Sequence, residues 1–280
     1  MYFRKLVYTI SLRIRWAVKL YDLITNYTLR RKSKSNILMY HSVGGHEKIE
    51  LDIPTKIFEK QILRLISIGQ IIPLERYLNL KANEKENFFF VLTFDDGFDN
   101  FYTNVFPILK RYNITATLFP AINFLNQADN IPLHKRVGAF NKFKPLKLVE
   151  IKEMVDSGLV SLASHGYGHI DYSEENDLLL DEDIKSANNW FSYHFNFIPQ
   201  IFAYPMGRYS HNSNLIIKKY FKIAFLAGHS ADKDDNINLL MFPRIPILRT
   251  DNIFWFNFKI KGLIFREQFI IQKIVRFLML

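Results

Sequence analysis

From Asn36 onward, short apolar runs alternate with helical stretches, and this alternation limits the folds open to the chain more than any other feature. ILMYH (37–41), FFFVLTF (88–94), ATLFP (116–120), LVSLAS (159–164), QIFAYP (200–205) and FKIAFLA (221–227) have the length and apolar content of buried strands. Helical stretches fill the gaps. Residues 55–69 place Ile57, Phe58, Ile62, Leu63 and Leu65 on one side, and further helices are expected over 99–112, 146–157 and 213–220. A longer one is expected from Ser173, as N-cap, to Phe195, with Glu174 and Glu175 in its first turn. Strands joined through helices cannot pair as hairpins. They build a parallel sheet, either open or closed into a barrel.

The chain has no cysteine, so disulfides and thiolate chemistry are excluded, and any metal must be held by His and carboxylate. The net charge of +10 is unevenly spread. Residues 1–35 carry +8 and residues 252–280 carry +4, which leaves −2 for residues 36–251. A nucleic-acid-binding protein would carry basic charge around its site, so no nucleic-acid partner is expected. The segments themselves divide the chain into a basic N-terminal helix and linker (1–35), a central domain (36–251) and a basic, aromatic C-terminal tail (252–280).

Residues 3–29 repeat apolar side chains at Phe3, Val7, Ile10, Ile14, Ala17, Tyr21 and Ile24, with Arg4, Lys5, Arg15 and Lys19 mostly opposite. Two placements suit such a helix: lying on an anionic membrane surface, or packed on the protein's own core. RRKSKS (30–35) reads as a solvated linker. Arg13 and Arg15 interrupt the first apolar run and no small-residue cleavage site follows, so a secretory signal is not expected. No run of 18 apolar residues reads as a transmembrane helix.

Four motifs end strands, where parallel α/β folds place their chemistry. TFDDG carries Asp95 and Asp96, adjacent carboxylates that can divide metal binding and proton removal; alone, Asp-Gly after a strand is an ordinary turn. SHGYGH spaces His165 and His169 by four, so that both imidazoles can reach one ion, although such pairs also arise by chance. FAYPMG can form a tight turn that aims a backbone N–H at a reacting carbonyl, or simply a βα turn. LMYH ends the first strand on His41, a position where histidine is often structural. Two Asp and two His form an N/O ligand set suited to Zn²⁺, Co²⁺ or another divalent ion acting as Lewis acid in amide or ester hydrolysis.

In this order, TFDDG, HGYGH and FAYPMG resemble the polysaccharide deacetylases of the NodB homology group, over roughly residues 36–250. YHSV near the start, FEKQILRLISIG and FPILKRYNITATLF extend the likeness. The resemblance implies a distorted (β/α) barrel with fewer than eight full units, flanked by terminal helices. It implies Asp95 as general base, with Asp96, His165 and His169 as ligands of a divalent metal, and the N–H of Met206 as an oxyanion donor. The family's usual late LxLH strand is missing. LMYH resembles it instead, as in the circularly permuted branch that includes poly-N-acetylglucosamine deacetylases, which makes His41 the general acid. His229, in LAGHS, also follows a strand and competes for that role.

Three departures stand out. Gly166 occupies the place of a Ser or Thr, and no DxxDW motif is present. Ala203 occupies the place of the Arg that orients the base, for which Arg244 in PRIP is either a substitute or a plain surface arginine. The implied activity is removal of acetyl groups from an N-acetylated glycan, and the missing secretory signal makes a cytoplasmic location the expectation. Removal of O-acetyl esters and a silent glycan-binding protein are the alternatives.

Overall fold

The computed structural model describes residues 2–28, 36–80, 89–126, 143–228 and 239–278. The six apolar runs all form strands: β1 (Ile37–Tyr40), β5 (Phe89–Asp96), β6 (Ala116–Pro120), β7 (Val160–Leu162), β8 (Ile201–Ala203) and β9 (Ile223–Ala227). The sequence did not announce β10 (Phe242–Pro246), because its FPRIP carries two prolines, which argue against a central strand. It nevertheless pairs with β1 on one side and β9 on the other. Three two-residue strands complete the set: β2 (Ser42–Val43) with β3 (Asp52–Ile53), and β4 (Gln70–Ile71) on the edge of β5.

Every strand pair is parallel, in the order β7-β6-β5-β1-β10-β9-β8. The two ends of this order meet. Ser164, just beyond β7, bridges Phe202 of β8 through Ser164 N–H to Ile201 O at 3.0 Å and Ala203 N–H to Ser164 O at 2.8 Å. The curled sheet is thus a (β/α) barrel of seven strands with a thin closure, distorted in the sense expected.

Strand alternation sorts the side chains into two cores. Val91 of β5 points inward with Ile37, Phe119, Ala163, Ala203, Phe225 and Phe242, filling the barrel. Its neighbours Phe90, Leu92 and Phe94 point outward, under Phe58, Ile62 and Leu65 of α2 (Thr55–Ile68). Fully burying each such aromatic or aliphatic side chain is worth about 1.5–3 kcal/mol. Outside the sheet lie α3 (Leu74–Leu78), α4 (Phe106–Tyr112, entered through a π-helical turn at Phe101–Val105), α5 (Ile122–Asn126) and α6 (Leu148–Asp156). They are followed by α7 (Asp177–Phe195) and α8 (His211–Tyr220). The helix α7 begins later than its sequence suggests. Asn176 caps it by accepting Leu179 N–H at 3.1 Å, while Ser173 is turned back by two hydrogen bonds to Asp171.

The chain ends fold onto this barrel as α1 (Tyr2–Thr28), α9 (Ile253–Ile260) and α10 (Glu267–Leu278). The helix α1 is amphipathic, as its period implies, but its polar stripe faces inward. Arg15, Lys19, Asp22 and Asn26 are buried, whereas Trp16, Leu20, Tyr21, Ile24 and Tyr27 are exposed. Spacings of four, three and four put the buried residues on one face, and each finds partners from the other end of the chain. Arg15 pairs with Glu50 and, at 2.9 Å, with Glu267. Lys19 meets Asp251 at 2.5 Å, and Lys259 meets Asp251 at 2.6 Å and Glu267 at 2.8 Å. Asp22 accepts the N–H groups of Phe265 and Arg266 at 2.9 and 2.8 Å, at the N-terminal end of α10. Arg15, Lys19 and Lys259 thus face Glu50, Asp251 and Glu267, and Asp22 pairs with Arg266 at 2.9 Å, so no net charge is stranded. Losing one partner of such a pair typically costs about 3–5 kcal/mol. The expected linker at 30–35 lies outside the described residues. Among those described, no helix is long and apolar enough to cross a membrane.

Candidate active site

One mouth of the barrel holds a cavity of about 270 Å³, and all seven residues singled out from the sequence gather there. Six of them, Asp95, Asp96, His41, His165, His169 and Met206, line it directly. The seventh, Arg244, reaches it from below, through Asp95.

The topology explains the convergence. β1 lies at the centre of the sheet, with β5 and β10 on either side, so His41 leaves β1 level with the end of β5. Arg244 rises inside the barrel from β10, is fully buried, and grips Asp95 with two hydrogen bonds, Nη1 to Oδ1 at 2.7 Å and Nη2 to Oδ2 at 2.6 Å. It also donates to Thr93 Oγ1 at 3.2 Å and lies over the rings of Phe119 and Phe225, at 5.2 and 5.8 Å from their centroids. The plain surface arginine is ruled out. Burial pushes the Asp95 carboxyl up, but the Arg244 guanidinium, with His165 adding to it, more than offsets this and keeps the group below the usual carboxylate range.

Beside this pair stand Asp96, His165 and His169, all buried. Asp96 Oδ1 is 3.6 Å from His165 Nε2 and 3.3 Å from His169 Nε2. Four ligands at 2.0–2.1 Å around a tetrahedral ion would be separated by about 3.3–3.4 Å, so these atoms are spaced as such ligands are. The imidazole of His165 is oriented for this task. Its Nδ1–H donates to the carbonyl of Ala203 at 2.7 Å, leaving the Nε2 lone pair toward Asp96. Ala203, where an arginine was expected, therefore serves the site through its backbone. Asp96 Oδ2 is buried without a hydrogen bond, an unspent acceptor in the same cluster. Burial raises the Asp96 carboxyl, yet His165 and His169 overcome it and drive it far down; burial lowers the His169 imidazole, and Asp96 more than reverses this. The donor set thus fits a divalent cation.

The backbone carries strain at these positions. Outside glycine, positive φ occurs at His46, Asp96, Asn113, His169, Asn196 and Met206 among the described residues. Asn113 and Asn196 are left-handed helix C-caps, an ordinary role for asparagine. Three of the remaining four line the cavity, which is where such strain gathers when it fixes function. Met206 (φ 58°) turns sharply into Gly207, where a Cβ would lie 2.6 Å from that of Ala227, so only glycine lets the turn close.

The His165–His169 loop is held by a residue that sequence reasoning missed. Asp183, inside α7, accepts N–H from Tyr167 at 2.9 Å and from Gly168 at 2.6 Å, and the hydroxyl of Tyr172 at 2.8 Å. A Cβ on Gly166 would come within 2.3 Å of Asp183 Oδ2, which accounts for glycine where a serine or threonine was expected. Nothing local in LLLDEDIK distinguishes Asp183 from a solvated helix acid.

His41 lines the cavity with its Nδ1 buried and without a hydrogen bond. Burial lowers its imidazole, and Asp96 and Asp95 restore only part of the loss. His229 lies outside the described residues.

A profile of the family "Polysaccharide deacetylase" matches residues 82–221, half of the chain. YxkH of Bacillus subtilis (strain 168), a protein assigned to polysaccharide deacetylases, is 28% identical over 183 residues, 64% of this chain and 59% of its own length. The chain therefore spans about three fifths of that relative. The poly-beta-1,6-N-acetyl-D-glucosamine N-deacetylase of Staphylococcus aureus (strain MRSA252) is 26% identical over 237 residues, 80% of this chain and 78% of that one. Among solved structures, a polysaccharide deacetylase from Bacillus cereus superposes with a TM-score of 0.66 at 24% identity, covering 80% of this chain and 68% of that one. His41 and Arg244 fall outside the profile match, one on each side.

Replacing His169 by alanine removes one of three side-chain donors from the cluster. The purified variant is expected to retain little zinc by elemental analysis when wild type retains about one ion per chain, with folding unchanged by circular dichroism. Full zinc retention by His169→Ala would refute the ligand assignment.

Proposed function

The chain belongs to the polysaccharide deacetylase family, and from that premise we propose that it is a metal-dependent enzyme that removes acetyl groups from an N-acetylated glycan. The observation that carries the proposal is the juxtaposition of a buried base, Asp95, held ionised by Arg244, with the Asp96–His165–His169 cluster. A divalent cation, zinc or cobalt by the chemistry of the donors, would be held by Asp96, His165 and His169 and supply Lewis-acid polarisation there.

The chain's own groups perform the remaining work. Asp95 takes a proton from the attacking water, and its ionised state makes that possible at neutral pH. The turn at Met206 presents a backbone N–H to the oxygen of the tetrahedral intermediate, where charge develops. His41 is placed to donate a proton to the departing nitrogen, and because burial holds its imidazole low, it gives that proton up readily once charged. An amine is a poor leaving group until protonated, so an amide hydrolase needs such a donor more than an esterase does. The cavity is small by the standard of ligand pockets, with room for about one sugar unit around the reacting acetamide. The N-deacetylase relative supports the N-acetyl reading over the O-acetyl one.

His41→Ala is expected to keep its metal and lose about 10²–10⁴-fold in turnover on an N-acetylated oligosaccharide. Its loss should be smaller on an O-acetylated counterpart, with acetate release measured on both. Near-normal amide turnover by this variant would remove His41 from the mechanism and weaken the permuted-family reading.

The outward stripe of α1 supports a peripheral contact with an anionic membrane. Trp16, Leu20, Ile24 and Tyr27 lie on one face of a helix from a segment that, without the buried Arg15, Lys19 and Asp22, carries +7, and basic residues near such a surface contribute about 1 kcal/mol each. Co-sedimentation with phosphatidylserine vesicles should fall with added salt and fall again in Trp16→Ser/Ile24→Ser. Unchanged sedimentation of that variant, or concentration-dependent dimerisation that the substitutions abolish without vesicles present, would assign the stripe elsewhere.

A further inference from the structure

One side chain in the cavity wall belongs to none of the motifs and comes from the end of the chain. Gln268, in the first turn of α10, lines the cavity opposite no strand of its own. We propose that Gln268 is a sugar-recognition residue, whose side-chain –NH₂, fixed in direction by Arg15, donates to an acceptor oxygen of the bound acetylated sugar. The proposal rests on the deacetylase reading above and deepens it.

The orientation follows from donor chemistry. A guanidinium only donates, so the atom of Gln268 that receives Arg15 Nη2 at 3.2 Å is its Oε1. Its –NH₂ is the part left to donate, and no described residue accepts from it. Arg15 itself cannot swing away. It is buried to 1% exposure, with its other nitrogens on Glu50 and Glu267. A donor held this firmly loses little freedom on meeting a ligand, which is what makes a preorganised contact productive.

The rest of the wall strengthens the assignment. Beyond the groups given roles in the reaction, the polar side chains lining the cavity are Tyr204, Arg208 and Gln268. The Tyr204 hydroxyl donates to Asn214 at 3.3 Å, and Arg208 is drawn to Asp171 at 2.6 Å. Gln268 is the one whose donors have no such partner among the described residues. Every ring hydroxyl and the acetamide oxygen of an N-acetylated sugar can accept from it.

The buried ionic network fixes this wall as a unit. Glu50 is followed by Leu51, and Glu267 by Gln268, both lining residues, while Asp251 accepts the N–H of a third, Leu248, at 2.8 Å. Lys259 donates to the carbonyl of a fourth, Pro246, at 2.8 Å. The terminal helices therefore brace one side of the cavity through these contacts, and Gln268 is the one residue they place in its wall.

Gln268→Ala removes both amide atoms, whereas Gln268→Glu keeps an oxygen for Arg15 but replaces the donor by a charged acceptor. An N-acetylglucosamine oligomer serves as substrate, and 4-nitrophenyl acetate, which has no sugar, as control. Both variants should raise KM for the oligomer about three- to tenfold, the span of one neutral hydrogen bond, with kcat nearly unchanged and aryl acetate hydrolysis as in wild type. Calorimetric affinity of metal-stripped protein for the oligomer should fall by the same factor. Wild-type affinity in Gln268→Glu combined with weak binding in Gln268→Ala would reduce Gln268 to a prop for the wall, and wild-type affinity in both, or no oligomer binding by wild type, would overturn the proposal. Failure of wild type to release acetate from the oligomer would instead count against the N-deacetylase reading, and the calorimetric comparison would still decide the role of Gln268.

Discussion

The doubly hydrogen-bonded contact between Arg244 and Asp95 is the interaction around which the rest of the structure is arranged. Neither charge could be buried alone, because taking a carboxylate or guanidinium out of water costs several kcal/mol unless a partner and further hydrogen bonds compensate. Here the compensation is complete: two parallel hydrogen bonds, a threonine hydroxyl and two aromatic faces. The barrel must close around this pair, and it does so with small or flat interior side chains, Ala163, Ala203, Phe119 and Phe225. The consequence for chemistry is a buried carboxylate that stays ionised beside a cluster able to hold a divalent cation.

Much of this was legible in the sequence, and the exceptions have physical reasons. Strand ends were readable because four of the six apolar runs lead into a motif of distinct chemistry, and Asp95, Asp96, His41, His165, His169 and Met206 all came from those four. Arg244 was ambiguous because prolines on both sides concealed its strand, and only the pairing of β10 with β1 and β9 carries it into the barrel. Asp183 gave no signal, since its partners are backbone N–H groups fifteen and sixteen residues earlier. The departure at Gly166 was visible, but its cause was that same carboxylate.

The N-terminal helix shows where periodicity stops being informative. Its 3.6-residue pattern identified a helix with a polar and an apolar face, but the inward face is set by counterions far along the chain, at Glu50, Asp251 and Glu267. A hydrophobic stripe normally points inward. Here the polar stripe does, because Arg15, Lys19 and Asp22 find full partners and the aromatic stripe does not. The same contacts draw both chain ends together beside the barrel mouth, and the C-terminal segment supplies Gln268 to the cavity wall.

The account stands most directly on the pH dependence of kcat/KM for acetate release, compared between wild type and Arg244→Met. Arg244 holds the Asp95 carboxyl below its ordinary range, so activity that depends on ionised Asp95 persists as pH falls and is lost only through that depressed value. Without the guanidinium, burial prevails and the carboxyl rises, so the acidic limb should move to higher pH while the folded, metal-retaining protein survives with reduced turnover. An acidic limb in Arg244→Met that coincides with that of wild type would contradict the assignment of Asp95 as the base that Arg244 keeps ionised.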